Sequence, residues 1–385
     1  MLSGWAVYAP LGARYAAFLL CTGLALVWVH RQGLWRTLIQ PVRARLLVAL
    51  VLWMAISALW SGASLPRIAA PLWMALLPLA LLPLAAAIPA PVALRALRHF
   101  VAASAGVGAW TVVDSVLAVP ASSLLASPVD ATGNQRIVVS MLLALGCAFA
   151  LWLATQAAAL RQRAALGAAA ALALAGLLLQ DRRSGLLMLP LLLMAWAVAA
   201  APRWYLKLAL PLLVVVAAAG LWATSTGVQK RFAEGARELQ SYPSNDQVAT
   251  SWGMRLRLWQ RTADMVAERP VFGHGLGSWP QWWRDNTRSG TLLNEHTTPH
   301  NEFLLAAAQA GVPAALLLLA WLLSSTVAAA RAGPAAVPAL MLWTTLLSTA
   351  FTHAVLRDAK LALPLLLLLG LALALVHKPT AAAAP

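Results

Sequence analysis

The ten residues NEHTTPHNEF, 294–303, hold two histidines, two glutamates and two asparagines in a chain otherwise dominated by alanine, leucine and valine. His300 precedes Asn301, a good helix N-cap, and the apolar run EFLLAAAQAGVPAALLLLAWLL follows. That order predicts a long helix with His300 at or just outside its N-terminus. The helix dipole there opposes protonation of an imidazole, and a neutral imidazole can accept a proton as a general base does. From these residues alone, capping or headgroup contact is the commoner use of a histidine at a helix end, and both readings stand. His296, four residues earlier, would share a helix face with His300 and suit a metal. Pro299 and two threonines argue against a helix there, and no HExxH pattern exists, so no metal is expected.

Cations and glycines supply the other candidate chemistry. QDRRSG, 180–185, sets Asp181, Arg182 and Arg183 in a tight connection between two apolar runs. SWGMRLRLWQRTADMVAE, 251–268, reads as a helix with Ser251 as candidate N-cap, on which Arg255 and Trp259 share a face. RPVFGHGLGSW, 269–279, then breaks the helix with Pro270 and the alternating glycines Gly273, Gly275 and Gly277. Such a run either bends the chain sharply near other elements or turns amides toward an anion, and the plain bend is preferred. TGVQKRFAEGARELQ, 226–240, reads as a short amphipathic helix ending at the turn-rich SYPSND. Trp252, Trp259, Trp279, Trp282 and Trp283 share this polar stretch, where anchoring to headgroups is preferred over stacking on sugar rings.

The elements that must position these residues are set by composition. Of 385 residues, 61% are hydrophobic and 10% charged, with a mean hydropathy of +0.76, too few charges to cover a soluble fold. Apolar segments near 12–30, 46–62, 68–88, 97–119, 137–159, 164–180, 184–201, 205–223, 302–330, 335–356 and 359–377 fit bilayer crossings, with a twelfth if the first 30 residues cross twice. Their Ala/Leu/Val pattern lacks the period of two that an outer-membrane barrel needs. The first apolar segment lacks a charged start and a small-residue cleavage site and is expected to remain as a helix. Cys21 and Cys147 both fall inside spans and point to no disulfide framework.

Short connections divide by charge. Arg31, Arg36, Arg43, Arg45, Arg95, Arg98, Arg161, Arg163, Arg203, Lys207, Arg331 and Lys378 lie on one side. Arg14, Arg67, Arg136, Arg182, Arg183, Arg357 and Lys360 lie on the other. The richer set is expected inside, so the polar stretch 224–301 faces outward and the C-terminus inward. The division expected is 1–223 as N-terminal spans, 224–301 as an outer loop with short amphipathic helices, and 302–385 as C-terminal spans. QDRRSG then defies the inside bias and calls for a local partner, and Asp114, late in an outward-running span, stands near the same level. The loop's nine basic residues, within a net charge of +16, fit anionic headgroups or a phosphate-bearing substrate. Nucleic acid is excluded as a partner, because these cations are outside and form no binding module.

Four pieces resemble the O-antigen ligase and O-antigen polymerase superfamily of bacterial membrane glycosyltransferases: RSG at 183–185, SWGMRLRLW at 251–259, RPVFGHGLGSW at 269–279 and HNEFLLAAAQAGVPAALL at 300–317. They occur in order over about 135 residues. The fold class that follows is all-α: a GT-C-like polytopic helical membrane protein with about 11–12 transmembrane helices and one large periplasmic helical loop. The resemblance implies that Arg183 and Arg255 hold the diphosphate of an undecaprenyl-linked glycan donor and that His300 serves the acceptor hydroxyl. Arg182 and Arg257 are the alternatives, and Asn301, His296, Trp259 and Gly275 are supporting residues. It implies no cofactor, a lipid A-core acceptor in the ligase case, and a place in the bacterial inner membrane with the site facing the periplasm. One dominant outer loop favours ligase over polymerase, and polymerase and protein O-oligosaccharyltransferase are the alternatives within the superfamily. A transporter of an anionic lipid or solute is the rival from another class; no internal repeat supports it.

Overall fold

The computed structural model describes residues 7–117, 134–180, 183–201, 205–226, 251–287 and 296–376, with a few positions between 203 and 236. Sixteen α-helices and no strand are present among them. Before the polar stretch come α1 (Leu11–Arg31), α2 (Trp35–Ile39), α3 (Val42–Ile56), α4 (Leu65–Leu76), α5 (Leu81–Ala87), α6 (Ala90–Leu117), α7 (Asn134–Gln156), α8 (Leu160–Leu179), α9 (Arg183–Ala200) and α10 (Leu206–Thr224). Within it lie α11 (Ser251–Glu268) and α12 (Trp279–Asp285). After it follow α13 (Glu302–Ala310), α14 (Val312–Arg331), α15 (Val337–Ala350) and α16 (Ala359–Ala374).

By length and composition, eight of these segments can cross a membrane, and the chain is a multi-pass membrane protein. Three shorter apolar helices, Ser184–Ala200, Pro334–Ala350 and Ala359–Ala374, occupy the remaining expected positions. Helix α1 is continuous from Leu11 to Arg31, so that segment is one span and not two short ones. The third span is assembled from α4, a 3-10 turn at Leu77–Ala80 and α5. Pro71, Pro78 and Pro83 along it remove backbone donors and account for the tighter winding.

Small residues set the close crossings. A side chain on Gly108 of α6 would strike the backbone at Leu172 of α8, and Gly176 lies directly against Gly108. Gly185, the glycine of RSG, faces the Ser140 carbonyl of α7 with no room for a β-carbon. Such contacts let helices without a hydrophobic drive between them gain dispersion energy instead. Helix α16 is the centre of the bundle, buried at every position from Leu361 to Ala372. Helix α10 is its opposite, exposing Leu208, Leu212, Leu213, Val215 and Val216, as a lipid-facing helix does.

The apolar run 302–330 is not one helix. Gly311, at φ +84°, separates α13 from α14, and Pro313 starts the second. The break follows from what docks into it. The last four carbonyls of α13 need partners outside the helix. Gly311 N–H donates to Ala307 O (2.8 Å), His274 N–H to Ala308 O (2.9 Å), Gly275 N–H to Gln309 O (2.8 Å) and Trp53 Nε1 to Ala310 O (2.7 Å). Val312 N–H in turn donates to Pro270 O (2.7 Å). The glycine-rich segment is thus wedged between the two halves of a broken helix.

Candidate active site

Helix α11 spans the expected 251–268, although Ser251 is already helical instead of capping from outside. Leu258 and Met265 bury one stripe of it against Trp279, Trp283, Leu305, Ala308 and Ala354. Trp279 and Trp283 stack at 5.3 Å, and Trp279 Nε1 donates to the Thr262 hydroxyl (3.0 Å). These two tryptophans are core residues, not headgroup anchors, because they cover the apolar face of α11. Trp259 and Trp282 pack partly buried against the same cluster.

The glycine run resolves as the plain bend. Gly273, Gly275 and Gly277 take φ of +67°, +94° and +82°. A β-carbon would strike the backbone of Gln309 and Ala310 at Gly273, that of Ser61 at Gly275 and the Arg67 carbonyl at Gly277. The Gly273, His274 and Gly275 amides are all engaged by protein carbonyls, so they form no nest for an anion. Ser61 Oγ donates to Leu276 O (2.8 Å) and Trp60 Nε1 to Phe272 O (3.1 Å), fixing the segment on the connection after α3. His274 turns away to the end of α11, with Nε2 2.9 Å from Met265 O and 3.5 Å from Glu268 Oε2.

At its other end α13 begins as the sequence suggests. Asn301 is the N-cap, its side-chain oxygen accepting from Leu304 N–H (2.9 Å). Its Nδ2 also donates to Phe351 O (3.0 Å), and Glu302 Oε2 accepts from Leu356 N–H (2.8 Å). Two adjacent side chains therefore tie the connection between α15 and α16 to the start of α13. That connection carries His353 and Arg357.

His300 is the one non-glycine residue with positive φ, +51°, among the described residues. Its ring meets His296 at 5.3 Å and His353 at 6.1 Å, both edge-on. His296 Nε2 lies 2.6 Å from Met254 Sδ, next to Arg255 on α11. Burial, then the Arg255 charge, then His296 push His300 down to about 4. Burial followed by Arg255 and His300 holds His353 down at about 3. The sequence anticipates a neutral His300 from the helix dipole; burial is the larger cause. Arg255 acts on both imidazoles. Arg257, two residues on, points roughly 200° round the helix and figures in neither shift.

His296, Thr297, Thr298, His300, His353, Arg357, Asp358 and Lys360 line a cavity of about 390 Å³ together with Ile137 at the start of α7. Glu302, buried and outside this lining, is raised to about 7 by burial, opposed by the Leu356 amide and Arg357. Arg357 is lowered to about 10 by burial, opposed by Glu302. The Arg183 backbone opens α9, two residues before the Gly185 contact with Ser140, which is one turn from Ile137. Its side chain, Arg182 and residues 294–295 lie outside the described residues, as do SYPSND and most of 226–240. Asp114 stands in the last turn of α6, three residues after Thr111, whose hydroxyl meets Gln180 Nε2 at 3.5 Å.

His353, Arg357 and Glu302 were not singled out as site residues from the sequence. The available signal is FTHAVLRDAK, 351–360, a second polar cluster at a span junction.

With this geometry in place, comparison with known families finds that residues 168–319 match the family model described as O-antigen ligase (Wzy_C). The matched stretch runs from α8 into α14 and contains Arg183, Arg255 and His300. The match covers about two fifths of the chain, and the likeness to that family is a likeness of this stretch. No curated protein matches the chain.

Proposed function

We propose that the protein is an O-antigen ligase, a metal-independent inverting glycosyltransferase. It moves a glycan from undecaprenyl diphosphate to a hydroxyl of lipid A-core on the periplasmic side of the bacterial inner membrane. The observation that carries this reading is an uncharged imidazole, His300, held over a polar cavity beside Arg255 within the matched domain. The acceptor oxygen attacks the anomeric carbon, the bond from that carbon to the diphosphate oxygen breaks, and the hydroxyl proton passes to His300. Attack opposite the leaving group inverts the sugar carbon.

The two tasks of this reaction fall to different side chains. Arg255, with Arg183 at the start of α9, would stabilise charge on the departing diphosphate. A unit charge pair at ~4 Å is worth on the order of 4 kcal/mol at an effective dielectric near 20. His300 supplies general-base help of typically ~10²–10⁴-fold. Its low proton affinity without substrate suits the cycle. A bound diphosphate opposes the Arg255 charge and raises the proton affinity of the imidazole toward that of a base working near pH 7.

The test is transfer by purified protein from an undecaprenyl-diphosphate glycan to lipid A-core, with and without chelator. His300→Ala should lower the rate by at least ~10²-fold while expression and folding persist. Near-normal attachment by that variant removes the base assignment. Glycan appearing on undecaprenyl diphosphate identifies a polymerase, on protein an oligosaccharyltransferase, and no covalent product at all a transporter.

A further inference from the structure

Arg357 and Lys360 have no part in the reaction described so far. Arg357 belongs to the connection that His353 shares, between α15 and α16, Lys360 to the first turn of α16, and both line the cavity that holds His300. Arg357 is the more telling. Its Nη1 is buried and has no hydrogen-bond partner. Its countercharge, Glu302, interacts with it electrostatically, while the Glu302 carboxylate accepts from the Leu356 and Arg357 backbone amides. Asp358 is likewise engaged, capping α16 through Lys360 N–H (2.9 Å). A guanidinium taken out of water and left with an open donor is costly unless an anion arrives. Charge assignment from sequence also sets these two cations on the side where short connections are poor in them.

We propose that Arg357, assisted by Lys360, is a second phosphate-binding point of the cavity, built on elements separate from those carrying Arg183 and Arg255. It rests on the glycosyl-transfer reading and extends it: a substrate phosphate sits against the α15–α16 connection while His300 faces the reacting hydroxyl. The guanidinium offers paired N–H groups to phosphate oxygens, and the ammonium adds a point charge. Two phosphates could occupy the point, one from the lipid diphosphate donor or one carried on the acceptor glycolipid.

The experiment uses the full chain in lipid nanodiscs. Binding of inorganic pyrophosphate and of undecaprenyl diphosphate is measured by calorimetry for wild type, Arg357→Gln, Arg357→Lys, Lys360→Gln and Arg255→Gln. Steady-state transfer is run in parallel, varying donor and acceptor separately. Arg357→Gln is expected to weaken phosphate binding about tenfold or more, with Arg357→Lys intermediate because it keeps charge but not the fork. If the phosphate is the donor's, its KM rises, pyrophosphate and lipid affinities fall together, and the acceptor KM holds. If it is the acceptor's, only the acceptor KM rises, and removing acceptor phosphates abolishes the difference between variants. Unchanged affinities and KM values in both Arg357 variants, with Arg255→Gln still impaired, overturn the proposal and leave the reaction standing. No phosphate binding and no transfer by wild type overturn both.

Discussion

The first prediction concerns the charge on His300 and the pH at which it changes. In the folded protein the imidazole is held to about 4, against 6.5 for an ordinary histidine in the unfolded chain. Between those two values the unfolded state binds the proton and the folded state does not. Stability is therefore present near pH 7 and declines as pH falls from about 6.5 toward 4. At about 1.4 kcal/mol per pH unit, the full window corresponds to on the order of 3 kcal/mol. His353, held at about 3, acts in the same direction, and because each imidazole helps depress the other, the pair contributes less than twice this. Glu302 acts oppositely. Raised from 4.5 to about 7, it contributes most below its ordinary value, and that contribution disappears as pH rises through 7. A wild-type stability curve therefore mixes two signs, and a difference measurement is needed.

His300→Asn provides it, because asparagine does not titrate and tolerates the left-handed backbone at φ +51°. Unfolding of both proteins in the same detergent from pH 7.5 to 4.5 should show the variant gaining on wild type by about 2–3 kcal/mol as pH falls. Nitrogen-detected NMR of the imidazole ring should show His300 unprotonated at pH 6, and the acid limb of kcat/KM should lie well below 6. Arg255→Gln should move that limb up only part of the way to 6.5, since burial is the larger cause. A His300 that titrates near 6.5, or a stability difference that does not vary with pH, refutes the reasoning.

Two further outcomes follow from the packing around the site. Gly277→Ala should cost about 2–5 kcal/mol and disturb transfer, since the new methyl meets the Arg67 carbonyl and the backbone stays at φ +82°. Gly62→Ala, with open space around it, is the tolerated control in the same detergent-unfolding assay. Asn301→Ala should cost about 2–4 kcal/mol, because both the cap on Leu304 and the partner of Phe351 O are lost. Asn301→Asp keeps the cap and should fall between, with faster hydrogen exchange confined to 351–357.

How much of this was legible in the sequence depends on the range of the interaction involved. Spans and the bounds of α11 could be read because the bilayer and the helix period impose local patterns on Leu11–Arg31 or Ser251–Glu268. The break at Gly311 is not expected, although Gly311 and Pro313 are local break signals, because an unbroken apolar run over 302–330 also fits a single crossing. What decides it is the His274 and Gly275 amides donating into the gap and the Pro270 carbonyl accepting from Val312 N–H. Trp279 and Trp283 have the composition of interface anchors and the position of core residues, a difference that only the apolar face of α11 resolves. His353 and Arg357 reach the site through Asn301–Phe351 and Glu302–Leu356, pairings about fifty residues apart that no local pattern records.

Those pairings also bear on why His300 can hold a conformation that costs on the order of 1–3 kcal/mol. Helix α13 has nine residues, too few to be stable alone, so its position is set by what grips its ends. At the N-terminus the grip is the 351–356 connection, through Asn301 and Glu302. At the C-terminus it is Trp53, His274 and Gly275, each bonded to a terminal carbonyl. His300 precedes the first grip by one residue and inherits its orientation from both. The glycine-rich segment, whose amides at 273–275 are bonded to protein carbonyls, then serves the base from a distance. Its left-handed backbone lets it enter the helix break, and its entry fixes the short helix from whose N-terminus the imidazole is presented. The strained residue and the broken helix are on this view one construction, because a continuous 29-residue helix would have no end for the glycine segment to cap.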